Sequence, residues 1–123
     1  MIAALLLMLA TPAPSAEAEL PCASSQPAER LAGQWTGPFA GADWTFELTR
    51  NEKGWSGRYR TTRGPNWHPL ERLSVSGGCV SFGLPSQPPV SFHLTLGSDG
   101  RTLAGQIAMA GHLSLPFSAV RGS

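Results

Sequence analysis

From residue 34 onward, apolar and polar side chains alternate with a period of two, the spacing that lines up every second residue on one face of a β-strand. Eight segments carry the pattern, at about residues 34–39, 43–50, 54–62, 66–76, 78–84, 89–97, 101–109 and 113–121. One parity is apolar in each. It comprises Trp35 and Phe39; Trp44, Phe46 and Leu48; Trp55 and Tyr59; Trp67, Leu73 and Val75. It continues through Val80, Phe82 and Leu84; Val90, Phe92, Leu94 and Leu96; Leu103, Ile107 and Met109; Leu113, Leu115 and Phe117. The opposite parity holds Thr45, Glu47, Arg58, Arg60, Ser81, His93, Thr95, Gln106 and Ser114. Each strand therefore has one dry face and one wet face.

Short turn segments join these strands: Asn51-Glu52-Lys53-Gly54, Gly77-Gly78 and Gly97-Ser98-Asp99-Gly100. Sequential strands with one dry face roll into an up-and-down barrel, which also removes exposed edges. The expected fold is all-β, a single small antiparallel up-and-down barrel of about eight strands, with an open sandwich as the competing geometry. Fourteen Gly and eleven Pro argue against long helices. One short helical turn is expected at residues 30–33. A faint repeat relates the second and third strands to the sixth and seventh, and it places Gly57 and Gly105 on the inward parity. There a missing side chain lets a strand coil sharply inside a narrow barrel.

The first eighteen residues differ from the rest. Ile2 to Ala10 is an unbroken apolar run, shorter than the roughly 20 residues that span a bilayer. Thr11-Pro12-Ala13-Pro14-Ser15 then breaks it, and Ala16-Glu17-Ala18 supplies the small residues that signal peptidase reads. The expected organisation is a signal peptide at 1–18, a tail at 19–30 and a barrel at 31–123. A buried helix or a membrane anchor is the alternative for the apolar run. An exported chain meets an oxidising compartment, periplasmic or secreted, where Cys22 and Cys79 either pair or remain two free thiols. A bridge would close a loop of roughly 57 residues, for which loop-closure entropy gives about 4 kcal/mol.

Gly33-Gln34-Trp35 at the start of the first strand, with Arg121 at the end of the last, resembles the signature of lipocalins and other calycins. That resemblance implies a Trp that closes one end of the barrel and an Arg packed across its ring. The chain more closely resembles the small lipocalin-like barrel domain found N-terminal to some secreted bacterial α/β-hydrolases. The residues concerned are Leu31-x-Gly33-x-Trp35-x-Gly37, Pro69-Leu70-x-x-Leu73-Ser74-Val75-x-Gly77-Gly78 and Val80-x-Phe82. Phe92-x-Leu94-x-Leu96, Asp99-Gly100-x-x-Leu103-x-Gly105 and Leu115-Pro116-Phe117 complete the likeness, which covers nearly the whole chain after the leader. No Gly-x-Ser-x-Gly elbow occurs, so hydrolase activity is not expected. Leu31-Ala32-Gly33-Gln34-Trp35 after a short tail also resembles the start of small periplasmic inhibitors of secreted metalloproteases.

Charge and chemistry narrow the function. After Ala18 the chain keeps all nine basic residues and seven of the eight acidic ones, a net charge of +2. The basic residues are scattered except for Arg58, Arg60 and Arg63, so nucleic acid is not an expected partner. That cluster is either a solvated face or a patch for an acidic partner. His68, His93 and His112 are 25 and 19 residues apart, without the close pairs of a zinc site. No metal or cofactor is expected, and no acid–base pair or nucleophile constellation stands out. The aromatic set is the candidate ligand site: Trp44, Trp55, Tyr59, Trp67, Phe82 and Phe92, with Trp67 alternatively at the rim. Tyr59 and Thr61 are its polar handles. An eight-stranded barrel is either filled by its side chains or leaves room for one small ligand. The expectation is a monomeric, non-catalytic binding barrel without stable membrane insertion. Its partner is a small hydrophobic molecule held inside, or an exported protein engaged by the tail and rim loops.

Overall fold

A computed structural model describes residues 22, 24–86, 88–109 and 113–122. The expected leader with its cleavage point after Ala18 lies outside the described residues, as does His112. Among the described residues nine strands form: β1 (Gly33–Phe39), β2 (Ala42–Asn51), β3 (Gly54–Thr61), β4 (Gly64–Pro69), β5 (Glu71–Ser76), β6 (Cys79–Leu84), β7 (Val90–Leu96), β8 (Thr102–Met109) and β9 (Leu113–Arg121). They make one antiparallel sheet in the order β4-β3-β2-β1-β9-β8-β7-β6-β5. Strands adjacent in sequence pair with each other except β4 and β5, which form the two edges, and β1 pairs with β9 through Trp35 opposite Arg121. The sheet curls into a nearly closed barrel, as the alternation predicts.

The strand expected over residues 66–76 is divided, which raises the count from about eight to nine. Its first half, β4, pairs with β3, Tyr59 lying opposite His68. Its second half, β5, pairs with β6, Val75 lying opposite Val80. The chain crosses between the two edges at Leu70, whose N–H donates to the Gly57 carbonyl at 3.0 Å. Just beyond, Arg72 adopts a left-handed φ of 52° and the β5 register shifts between Glu71 and Ser74. A one-residue shift moves side chains to the other face. Leu70, Leu73 and Val75 all pack on the core, although Leu70 and Leu73 are three residues apart. Trp67, expected to share the inward parity of Leu73 and Val75, therefore stands on the outer face, and His68 takes the inward parity beside Tyr59.

The inward faces supply the core: Trp35, Phe46, Leu48, Val80, Phe82, Phe92, Leu94, Leu96, Leu103, Ile107 and Phe117 are buried, with Leu31 beneath them. Burying each of the larger of these contributes about 1.5–3 kcal/mol. Leu113, also expected inward, is 50 % exposed because it opens β9 at the rim, opposite Met109. Gly57 sits where a Cβ would meet Leu70 Cδ1 at 2.7 Å, so its bare backbone is what lets the crossing at Leu70 approach β3. At Gly105 a Cβ would run into the His93 carbonyl on β7, which accounts for its inward position in a tightly coiled strand.

One end of the barrel is capped. A single turn of 3-10 helix, Ala28–Leu31, forms two residues earlier than expected, between the extended residues Pro27 and Ala32. Leu31 plugs the end, and its carbonyl accepts the Trp35 indole N–H at 3.0 Å. The Arg121 guanidinium lies 4.2 Å from the Trp35 ring centroid and donates to the carbonyls of Ala32, Gly100 and Arg30. The resemblance to lipocalins implies this Trp–Arg closure. Cys22 and Cys79 are bonded, and they fasten the tail beside the β5–β6 hairpin.

Candidate functional site

The opposite end, the open end, has no such cap among the described residues and is bounded by the β1–β2 turn at Ala40-Gly41 and the β3–β4 turn at Thr62-Arg63. Here aromatic rings from adjacent strands form a ladder across the inner wall. Phe39 meets Trp44 at 5.5 Å, Trp44 stacks on Tyr59 at 5.4 Å with an interplanar angle of 20°, and Tyr59 meets His68 at 5.3 Å. Cross-strand register explains the order, since Trp44 faces Thr61 across β2–β3 and Tyr59 faces His68 across β3–β4. Trp44 is held by its indole N–H, which donates to the Phe39 carbonyl at 2.8 Å. Phe39, Trp44 and Tyr59 are only half-buried, so their faces remain partly open. Burial pushes the Tyr59 phenol above its usual pKa, and the nearby Glu71 carboxylate adds to the effect. The phenol is thus a neutral donor and acceptor at physiological pH.

Below the ladder the barrel is filled. Phe46 contacts Phe82, Phe92 and Phe117 with centroids 5.0, 5.2 and 5.9 Å apart, and Phe82 stacks on Phe92 at 5.0 Å. The expected site residues therefore do not form one site. Trp44 and Tyr59 come together at the open end. Phe82 and Phe92 are part of the filled centre. Trp55 lies toward the capped end, with the Arg50 guanidinium 5.9 Å from its ring. Trp67 lies outside, where the guanidinium carbons of Arg58 and Arg60 are 4.2 and 4.6 Å from its centroid. Phe39 and His68 join the open-end ladder without having been expected there. Phe39 was legible as inward by parity, whereas His68 had no signal because the frame shift at Arg72 hides it.

The outer face of β1–β4 carries a polar network. Arg58 Nε donates to Glu47 Oε1 at 2.6 Å and Gln34 Nε2 to Glu47 Oε2 at 3.1 Å. The bond from Gln34, then that from Arg58, holds the Glu47 carboxyl below its ordinary pKa. Toward the open rim this face sinks into an open depression of about 550 Å³, lined by Asp43, Thr45, Arg60, Thr61, Thr62, Arg63, Gly64 and Pro65. Among the described residues no group of three or more His, Cys, Asp or Glu is placed to hold a metal ion. No helix among them is long and apolar enough to cross a membrane. Comparison with protein-family models, with curated proteins and with solved structures finds no match to this chain.

Proposed function

We propose that this chain is an exported, lipocalin-like barrel that binds without catalysis, holding a small apolar ligand against the aromatic ladder at its open end. The observation that carries the reading is the Trp44–Tyr59 stack, hydrogen-bonded in place and half-buried above a dry core. A flat or extended apolar molecule laid on these rings gains the burial they lack, and Tyr59 and Thr61 offer the few polar contacts typical of such sites. The bonded cysteine pair and the apolar run at Ile2–Ala10 support export into an oxidising compartment. The Trp35–Arg121 cap supports kinship with the calycins.

A second reading is favoured by the ring contacts that fill the centre: the barrel works through its tail and rim loops on an exported protein partner. Native mass spectrometry of the protein recovered from its own host's export fraction separates the two. The ligand reading expects a mass beginning at Glu19, two hydrogens light, with a small adduct that leaves on denaturation and is missing from Trp44→Ala. A bare mass for both proteins refutes the ligand reading and favours the partner.

A further inference from the structure

We infer that the depression on the outer face at the open rim is a second binding site, one that takes a sugar bearing a carboxylate. It is distinct from the ligand ladder, because Asp43, Thr45 and Arg60 lie on the wet side of the same strands, and Thr61 at the rim is the residue the two share.

Arg50 pairs with Glu29, Arg58 with Glu47 and Arg72 with Glu71, whereas Arg60 and Arg63, like Arg30, Lys53, Arg101 and Arg121, have no carboxylate within ion-pair distance among the described residues. Both line the depression. The Arg60 guanidinium lies over Trp67, which positions it while leaving its N–H edge free. Arg63 is positioned by one bond, Nη2 donating to the Ala40 carbonyl at 2.9 Å, and keeps its other donors. Two positioned forks without a counter-ion suit a planar carboxylate, which each can take in bidentate fashion.

The rest of the lining says what the carboxylate is attached to. Asp43 shares the depression, and its side chain is not paired with either arginine. It repels compact multivalent anions and accepts hydroxyl hydrogens. Thr61 Oγ1 accepts the Arg63 N–H at 3.2 Å and Thr62 Oγ1 accepts the Asp43 N–H at 3.3 Å. Each hydroxyl is thereby oriented with its own hydrogen left to donate. Donors, acceptors and two cations in one hollow match a uronic acid, which presents a carboxylate among ring hydroxyls and carries an apolar ring face. The volume of about 550 Å³ falls in the range of small-molecule sites.

The test is amide-shift titration of the 15N-labelled, disulfide-bonded chain with trigalacturonate, its neutral galactose counterpart, inorganic sulfate and hexaglutamate. Trigalacturonate is expected to move the amides of residues 60–64, leaving the Leu103 amide as a control for the fold. Arg60→Gln and Arg63→Gln should each weaken it about tenfold, the loss of one charge-assisted bond. Asp43→Asn should weaken trigalacturonate and strengthen sulfate. No shifts with trigalacturonate overturns the proposal. So does equal or tighter binding of the neutral sugar, sulfate or hexaglutamate, which would make the hollow a general surface or a docking patch for acidic peptides.

Discussion

Replacing Phe92 by alanine tests whether the barrel is filled or hollow. Phe92 is fully buried, and its ring lies 5.9, 5.2, 5.0 and 5.3 Å from those of Phe39, Phe46, Phe82 and Phe117. Truncating a buried phenylalanine in a tight core costs about 3–5 kcal/mol. Four aromatic neighbours, each worth about 0.5–1.5 kcal/mol beyond area, place this site at the upper end of that range. These four rings come from four different strands, β1, β2, β6 and β9, so the space cannot collapse easily. The expected loss of about 4–5 kcal/mol is most of the stability of a small domain. Urea unfolding of the disulfide-bonded protein, followed by tryptophan fluorescence, measures it as a drop in midpoint at constant slope. Phe92→Leu should cost only about 1.5 kcal/mol, which keeps the comparison measurable if the alanine variant barely folds. Benzene should restore part of the loss, because a dry aromatic-walled cavity binds it. A loss below about 2 kcal/mol with no response to benzene would refute the filled interior, since a ring bordering an existing void has little contact to lose.

Arg121→Met keeps the side-chain stem but removes the cation over Trp35 and the donors to the Ala32, Gly100 and Arg30 carbonyls. A loss of about 2–4 kcal/mol is expected, with Arg121→Lys intermediate, read as a lowered thermal midpoint. Reducing the Cys22–Cys79 bond, which spans 57 residues, or replacing both cysteines by serine should cost about 4 kcal/mol in urea titration. Glu47 contributes stability that is complete above the ordinary glutamate value of 4.5 and is lost as pH falls through its lowered folded value. Glu47→Gln should therefore lower stability slightly at neutral pH, leave it nearly unchanged at acid pH, and so flatten the acid limb of the stability–pH curve. Tyr59 acts in the opposite sense. Its contribution is complete below the ordinary value of 10.0 and disappears as pH rises toward its raised folded value, so Tyr59→Phe should flatten the alkaline limb.

The barrel was legible in sequence wherever backbone period and side-chain chemistry agreed. Alternation alone placed Trp44 opposite the interior, and Gly77-Gly78 marked the β5–β6 hairpin in which Ser76 faces Cys79. The Trp35–Arg121 cap was legible through a resemblance, because two residues so far apart in sequence carry no local signal. The 66–76 segment failed for a specific reason. Trp67, Leu73 and Val75 fit one parity, and nothing about an arginine at 72 announces a left-handed backbone, a conformation usually left to glycine or asparagine. The candidate ligand site was only half legible because parity reports which face a residue occupies but not its height along the barrel. Trp44, Phe92 and Trp55 are all inward, yet they stand at the open end, the centre and the capped end. Height follows from strand tilt and stagger, which belong to the closed sheet and not to any one strand.

The seam at Leu70 bears on how the chain folds. The sheet order is the chain order cut at one peptide and rejoined at one ladder: β1 to β4 form one meander, β5 to β9 another, and only the β1–β9 pairing joins residues from opposite ends of the sequence. Each meander is built from adjacent hairpins, whose loops are cheap to close, while the β1–β9 ladder and the Cys22–Cys79 bond carry the long-range closure. The topology predicts a slow step in which two meanders dock, with Trp35 and Arg121 meeting at the joint. Substitutions at that joint should slow folding, whereas those inside either meander should chiefly hasten unfolding.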